Sequence, residues 1–290
     1  MPDMINCTIK LFADDTKLSK GIHSDLDRLN LQDNINKMCE WTQTWLMKLN
    51  ISKCKYLEVG TTQGNHQYQL QQDETTSPIQ KVSSEKDLGV YMDHSLQFSV
   101  HANQASTKAN RMIRLVFRTF SYMSPEMFLT LYKTLIRPHL EYATPVTSPI
   151  LQKDKITIEN VQRRATKRIP ALKDLTYEER LKRLGLPTLE YRRMRADIIQ
   201  TFKILKGIDI LDVDKLFQET GQRITRGHSR KLFKKQRRLQ RTGHFFSNRI
   251  VNTWNSLPEK TVTSTSVNSF KTNLNKAWHQ HRVKFKPSFT

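Results

Sequence analysis

The chain is predicted to fold as a small α+β unit followed by a longer, mainly α-helical region, so that it is mostly α overall. Three observations predict this. Apolar residues alternate with period two near the start, and beyond about Gln97 they recur with helical period. Glycine and proline fall mostly between those periodic stretches, where elements end. Residues 1–97 form the expected α+β unit, 98–172 a first helical segment and 173–290 a basic helical C-terminal region.

The elements follow in order. Ile5, Cys7, Ile9 and Leu11 alternate with polar neighbours, as in a strand with one buried face. Ala13-Asp14-Asp15-Thr16 supplies turn chemistry, and residues 16–19 can return as a second strand. Ser24 suits an N-cap, with Asp25 and Asp27 in the first turn where carboxylates favour the helix dipole. Behind it Leu31, Ile35, Met38, Trp45 and Leu49 share one helical face, interrupted by Thr42. Short strands are expected at 54–59, 66–70, 79–82 and 88–92, punctuated by Gly60, Gly64, Ser77-Pro78 and Gly89. Helices are expected at 100–120, 125–136, 154–169, 177–184, 189–205, 247–255 and 267–281. Ser124-Pro125 has the cap-then-proline order of a helix start, and Gly207 sits where a helix stop is wanted. Residues 221–243 are basic and poor in apolar residues: a loop, or a helix ordered only on binding.

Charge is unevenly distributed. The net charge is +21, yet residues 1–100 carry 10 Lys+Arg against 13 Asp+Glu. Residues 101–219 carry 22 against 13, and residues 220–290 carry 16 against one acid, Glu259. Such a field attracts polyanions, of which nucleic acid is the common one; a merely soluble basic protein or a targeting tail is the competing account. No apolar run approaches the ~20 residues that span a bilayer. No membrane partner is therefore expected, nor secretion, but an intracellular setting in nucleus or cytoplasm. Cys7, Cys39 and Cys54 are too few for a disulfide framework and suit a reducing compartment. No Cys-x-x-Cys pair exists, and His279 and His281 read as a solvated polar tail rather than as metal ligands.

Asp14 and Asp15 are the chemical centre of the sequence. Two carboxylates ~4 Å apart repel by ~4 kcal/mol at an effective dielectric of ~20. Either water solvates them or a cation sits between them and a further ligand, as in two-metal polymerase sites. Alone, an Asp-Asp pair in a turn is usually a surface turn. Here it follows a strand and precedes a return strand and a long amphipathic helix.

Leu11-Phe12-Ala13-Asp14-Asp15-Thr16-Lys17-Leu18 resembles palm motif C of LINE-type, non-LTR retrotransposon reverse transcriptases. Further blocks arrive in that family's order. Residues 45–55 (WLMKLNISKCK) resemble motif D, and Lys86-Asp87-Leu88-Gly89-Val90 resembles the primer-grip hairpin of motif E. Residues 137–143 (RPHLEYA) and 158–165 (IENVQRRA) resemble the thumb of jockey-like elements. So do Tyr177-Glu178-Glu179-Arg180-Leu181, Leu186-Pro187-Thr188-Leu189-Glu190, Phe246-Ser247-Asn248-Arg249 and Trp254-Asn255-Ser256-Leu257-Pro258. The resemblance implies a partial palm, a helical thumb, and RNA-directed DNA polymerase activity on an RNA template with a DNA primer or target. It implies Mg²⁺ as cofactor, with Asp14 as principal metal ligand and Asp15 as the second. Lys53 would assist the leaving pyrophosphate, though a solvated lysine at a strand edge reads at least as well. Leu88 and Gly89 would shape the primer-grip turn, and an ordinary turn glycine accounts for Gly89 equally well. In the family an endonuclease-like domain, the fingers and motif A precede motif C. This chain starts a few residues before the Asp pair, so it is expected not to polymerise DNA alone. The alternative is a non-catalytic nucleic-acid-binding protein derived from a retroelement.

In the basic C-terminal region, Lys231, Lys234, Lys235, Arg238 and Arg241 would share one face if residues 230–241 were helical, with Arg237 beside them. Such a stripe can lie along phosphates without reading sequence. Lys234-Lys235-Gln236-Arg237-Arg238 also fits a nuclear-localisation signal. Phe245, Phe246 and Trp254 could stack on bases, but Trp254 is expected in the core.

Overall fold

A computed structural model describes residues 4–60, 66–72, 75–220, 227–234 and 244–289. It divides the chain into two compact units, Met1–Leu96 and Gln97–Thr290, and the chain is mostly helical. No helix among the described residues is long and apolar enough to cross a membrane.

In the first unit, β1 (Thr8–Phe12) and β2 (Asp15–Ser19) form an antiparallel hairpin in which Phe12 faces Asp15. Helix α1 (Asp25–Thr44) starts at Ser24 in a full capping box: the Asp27 amide donates to the Ser24 hydroxyl, while the Asp27 carboxylate accepts from the Ser24 amide at 3.0 Å. Ile35 and Cys39 bury against Tyr68, Leu70 and Ile79, with Leu18, Leu31 and Met38 at the margin. Trp45 departs from the expected face. The helix stops at Thr44, Leu46 takes a left-handed φ of 55°, and Trp45 turns out to 65% exposure against Trp41. Thr42, which breaks the apolar stripe, is buried because its hydroxyl donates to the Cys39 carbonyl.

Three further pairs complete this unit. β3 (Lys55–Tyr56) lies parallel to β6 (Gln80–Lys81), β4 (Gln69–Gln72) pairs antiparallel with β5 (Thr75–Pro78), and β7 (Ser84–Asp87) pairs with β8 (Val90–Asp93). Ser77-Pro78, expected to break a strand, instead ends β5: a terminal residue that need not donate to the ladder tolerates proline. Residues 88–92 are not one strand, since Leu88-Gly89 is the turn between β7 and β8. Helix and sheet are joined by Gln32, whose amide donates to the Gln69 carbonyl and accepts from its N–H, both at 2.9 Å. The side chain thereby substitutes for a neighbouring strand.

Among the described residues of the second unit the regular structure is helical apart from one isolated bridge, Glu219 to Leu232. α2 (Ser99–Thr119) packs on α6 (Gln152–Lys167), and Tyr177–Leu184 (α7) and Leu189–Leu205 (α8) run as the sequence predicts. The helix expected over 125–136 is α3 (Pro125–Leu131) continued by a wide π turn, Tyr132–Ile136, into α4 (Arg137–Glu141). Pro138 explains the π turn. It has no N–H, and its ring excludes the normal position of the carbonyl four residues back, so the helix re-registers with the Arg137 amide on the Tyr132 carbonyl. Short helices α5 (Thr144–Thr147), α9 (Val213–Leu216), α10 (Phe246–Arg249), α11 (Val251–Asn255) and α12 (Glu259–Val262) precede α13 (Val267–Ala277). α10 and α11 together fill the helix expected over 247–255, whereas α5, α9 and α12 are too brief for periodicity to reveal.

Two apolar clusters meet at α8. One gathers Phe128, Tyr132, Ile136, Val161 and Leu189; the other gathers Tyr191, Phe202, Trp254, Phe270 and Leu274. Trp254 is core as expected, and its indole N–H donates to the Arg230 carbonyl at 2.8 Å. Polar groups run through the first cluster as a directed chain. The Tyr132 hydroxyl donates to Gln162 Oε1 (2.6 Å), the Gln162 amide donates to the Tyr177 oxygen (3.1 Å), and the Tyr177 hydroxyl donates to Glu159 (2.6 Å). Tyr177→Phe leaves one oxygen of the buried Glu159 carboxylate without its donor, an effect worth ~1–3 kcal/mol. The urea midpoint of Tyr177→Phe should fall accordingly, and Tyr177→Phe with Glu159→Ala should cost less than the sum of the two single changes. Additive costs would separate the two residues energetically.

Candidate functional site

Asp14 and Asp15 sit where the sequence predicts, at the tip of the β1–β2 hairpin. The loop between paired residues Phe12 and Asp15 is Ala13-Asp14 alone, and Ala13 is held at φ 53°. Two-residue hairpin loops need positive φ at their first central position to match the strand twist, a position that favours glycine. Alanine there stores backbone strain. Both carboxylates are exposed, and so is much of the strand leading to them, with Phe12 63% exposed. The expected buried face of β1 is thus only partly covered: Ile5 is buried, Ile9 is half-buried and Leu11 is exposed.

The β7–β8 turn has the same construction. Leu88 (φ 46°) and Gly89 (φ 85°) both lie in the left-handed region, so glycine is required at one position and leucine is strained at the other. A short ion pair connects the hairpins: Lys17 Nζ on β2 lies 2.5 Å from Asp87 Oδ2 at the end of β7. Resemblance-derived residues from motifs C and E therefore share one local surface. Lys53 does not form an edge strand; it is exposed at the end of a 3₁₀ turn, Ile51–Lys53, before β3.

Among the described residues no group of three or more His, Cys, Asp or Glu could hold a metal ion. Asp14 and Asp15 supply two solvated carboxylates without a third ligand, so the pair by itself does not fit a Mg²⁺ site, and no catalytic step is derived through one.

Of the two forms the sequence leaves open for the basic segment, its described residues take the loop. Lys231 to Lys234 are extended, not helical: the Thr220 amide donates to the Lys231 carbonyl (3.0 Å) and the Phe233 amide to the Gln218 carbonyl (2.7 Å). Leu232 is buried, and the Asn255 side-chain amide clamps its backbone, Oδ1 accepting from the Leu232 N–H and Nδ2 donating to the Leu232 carbonyl. One apolar residue thereby outweighs the helical spacing of the lysines. Lys234 is exposed and reaches Asn252 at 3.0 Å. Lys235, Arg237, Arg238 and Arg241 lie outside the described residues.

Sequence reasoning missed a charged cavity of about 220 Å³ in the second unit, lined by Lys155, Glu159, Glu190, Arg193, Asp197 and Arg249 among others. Arg249 makes a bidentate pair with Asp197 (Nε–Oδ2 and Nη2–Oδ1, both 2.9 Å) and donates to the Pro145 carbonyl at 2.7 Å. Burial pushes the Asp197 carboxyl up, and the Arg249 hydrogen bonds and charge oppose that. A neighbouring fork, Arg192 on Glu141, joins α8 to α4. The signal was present, since Glu141 and Arg249 fall in two of the motif blocks, but partners 51 and 52 residues apart cannot be matched from one sequence.

No family model matches the chain, and no solved structure matches it. It is similar to an uncharacterized protein of Caenorhabditis elegans, 24% identical over 126 residues, which is 42% of this chain. The match spans 63% of that relative's length.

The Asp197 pair makes a pH prediction. Because its folded pKa is raised, the stability Asp197 contributes is fully present below its unfolded value, about 3.9, and is lost as pH rises through the folded value. Arg249→Ala removes the opposing charge and carries that loss further up the pH scale. The variant should lose ~3–5 kcal/mol near neutrality, and the deficit should shrink as the carboxyl protonates. Urea midpoints of both proteins between about pH 4 and 7.5 check this; a pH-independent deficit would contradict it.

Proposed function

We propose that the chain is the motif-C-onward part of a non-LTR, jockey-like retrotransposon reverse transcriptase, with a partial palm in residues 1–97, a helical thumb to about Leu172 and a basic region beyond. Its role in that reading is RNA-directed DNA synthesis, on an RNA template with a DNA primer or target. One observation carries most of the support. The two turns that bear the motif C and motif E residues are both two-residue hairpin loops opened by a non-glycine residue at positive φ, and Lys17–Asp87 ties them together. Strain of order 1–3 kcal/mol per residue persists where the surrounding structure demands a geometry, and functional turns are where it gathers. The order of the blocks along nearly the whole chain adds to this support. The family's Mg²⁺ needs a ligand beyond Asp14 and Asp15.

That missing ligand favours a second reading, a non-catalytic nucleic-acid-binding protein of retroelement origin. The two are separated by mapping the transcript that encodes residues 1–290, expressing its longest frame, and assaying primer extension on an RNA template with deoxynucleoside triphosphates. On the polymerase reading the longest product extends the primer, and Asp14→Asn lowers the rate by at least ~10²–10³, the loss expected for one well-placed electrostatic contact. The 290-residue chain alone gives no extension. Extension that survives Asp14→Asn would overturn the assignment of that residue. No extension from the longest frame, with strand binding intact, would leave the non-catalytic reading.

A further inference from the structure

Among the described residues, helix α2 carries a continuous cationic face. Helix α2 turns one face into the core through Ala102, Ala109, Ile113 and Val116. Its opposite face carries Lys108, Arg111, Arg114 and Arg118, all exposed, with Leu115 48% exposed among them. None of these four cations has an ion-pair partner among the described residues, and the three arginines with Leu115 line a shallow open trough. Two further charges join from the end of α6, Lys167 and its C-cap Arg168. The Ser99 hydroxyl meets Asp154 at 2.5 Å near the start of both helices, and Arg168, just past the end of α6, covers the ring of Phe117 in the last turn of α2 at 4.2 Å. The two helices therefore run in the same direction, and Arg118, Lys167 and Arg168 collect at their C-terminal ends, where the helix dipoles favour cations. Just past α2, Tyr122 stands 76% exposed, with Phe120 also at the surface.

We propose that this face binds a single nucleic-acid strand, with phosphates on Arg111, Arg114 and Arg118 and an unpaired base stacked on Tyr122. The inference rests on the nucleic-acid part of the preceding reading, not on catalysis. Arg111 to Arg118 spans seven residues, ~10.5 Å along the helix axis. Stacked nucleotides advance ~3.4 Å per strand, so three guanidiniums over that length reach a run of about three or four phosphates. Guanidiniums grip phosphate bidentately, and an exposed tyrosine ring offers a sequence-tolerant stacking platform. The buried apolar face rules the helix out as a membrane-surface helix, which needs that face for the lipid.

The test measures binding of the full 290-residue chain to labelled 20-nucleotide single-stranded RNA and DNA over a range of salt. The triple change Arg111→Gln, Arg114→Gln, Arg118→Gln should flatten the log–log salt slope by about 2, at ~0.7 per lost contact. Tyr122→Ala should weaken binding about tenfold with the slope unchanged, and Tyr122→Phe should restore it, because the ring and not the hydroxyl stacks. All four positions are exposed, and unchanged circular dichroism melts exclude misfolding as the cause. A parent chain that binds neither strand overturns the nucleic-acid reading as a whole. A parent that binds while the triple variant keeps its slope, or anionic vesicles that bind the same arginines as tightly, overturns this surface alone.

Discussion

A single carboxylate taken out of water, Glu159, fixes how the helices of the second unit meet. Its residue is 1% exposed, and burial pushes the carboxyl up. A buried ion carries a penalty of several kcal/mol unless donors surround it. Here one oxygen takes the Tyr177 hydroxyl and the other takes the Leu189 amide at 2.9 Å, the first turn of α8. An amide at a helix start is a good donor to an anion because its dipole points the right way. The neighbouring cap carries the connection onward: the Thr188 hydroxyl accepts from the Tyr191 amide and donates to the Val283 carbonyl, 95 residues later in the chain. One anion thus sets α6 against α7 and α8, and the Thr188 cap beside it ties the C-terminal segment to the start of α8.

This accounts for which parts of the fold were legible. Tyr177–Leu184 and Leu189–Leu205 begin at Thr176 and Thr188, whose caps are local chemistry, and both can be read directly from the sequence. Ser24 before α1 is the same case. What failed to read was settled by a local break in the backbone or by distant partners. Trp45 continues an apolar spacing but lies past the end of its helix. For Lys231 to Lys234 the sequence leaves loop and helix open, and Leu232 with the Asn255 clamp draws them into extended pairing. The π turn is an intermediate case, because Pro138 is visible in the sequence while the helix's way around it is not.

The same distinction divides the motif residues. Those of the second unit, Glu141, Glu159, Gln162, Tyr177, Leu189 and Arg249, are hydrogen-bonded inside it and explain themselves as architecture. Those of the first unit, Asp14, Asp15, Leu88 and Gly89, lie on turns whose backbone is strained or glycine-dependent, and the Asp pair and Leu88 are exposed. Packing gives no reason for an alanine or a leucine at positive φ in those loops. A resemblance that spans both units therefore carries functional weight mainly in the first, although the second holds more of its blocks.

Net charge, read as a sum, misses a further separation that the structure makes. Arg192, Arg230 and Arg249 are already engaged by Glu141, Glu219 and Asp197, so their charge is largely spent inside the fold. Arg111, Arg114 and Arg118 have no such partners among the described residues and stand in a region whose net charge is smaller than that of the tail. An external phosphate gains most where a guanidinium is both solvent-facing and uncommitted, since a paired one must first give up its carboxylate. For a polyanion, therefore, the free arginines of α2 offer more than arginines already paired inside the fold, and net charge alone does not separate the two.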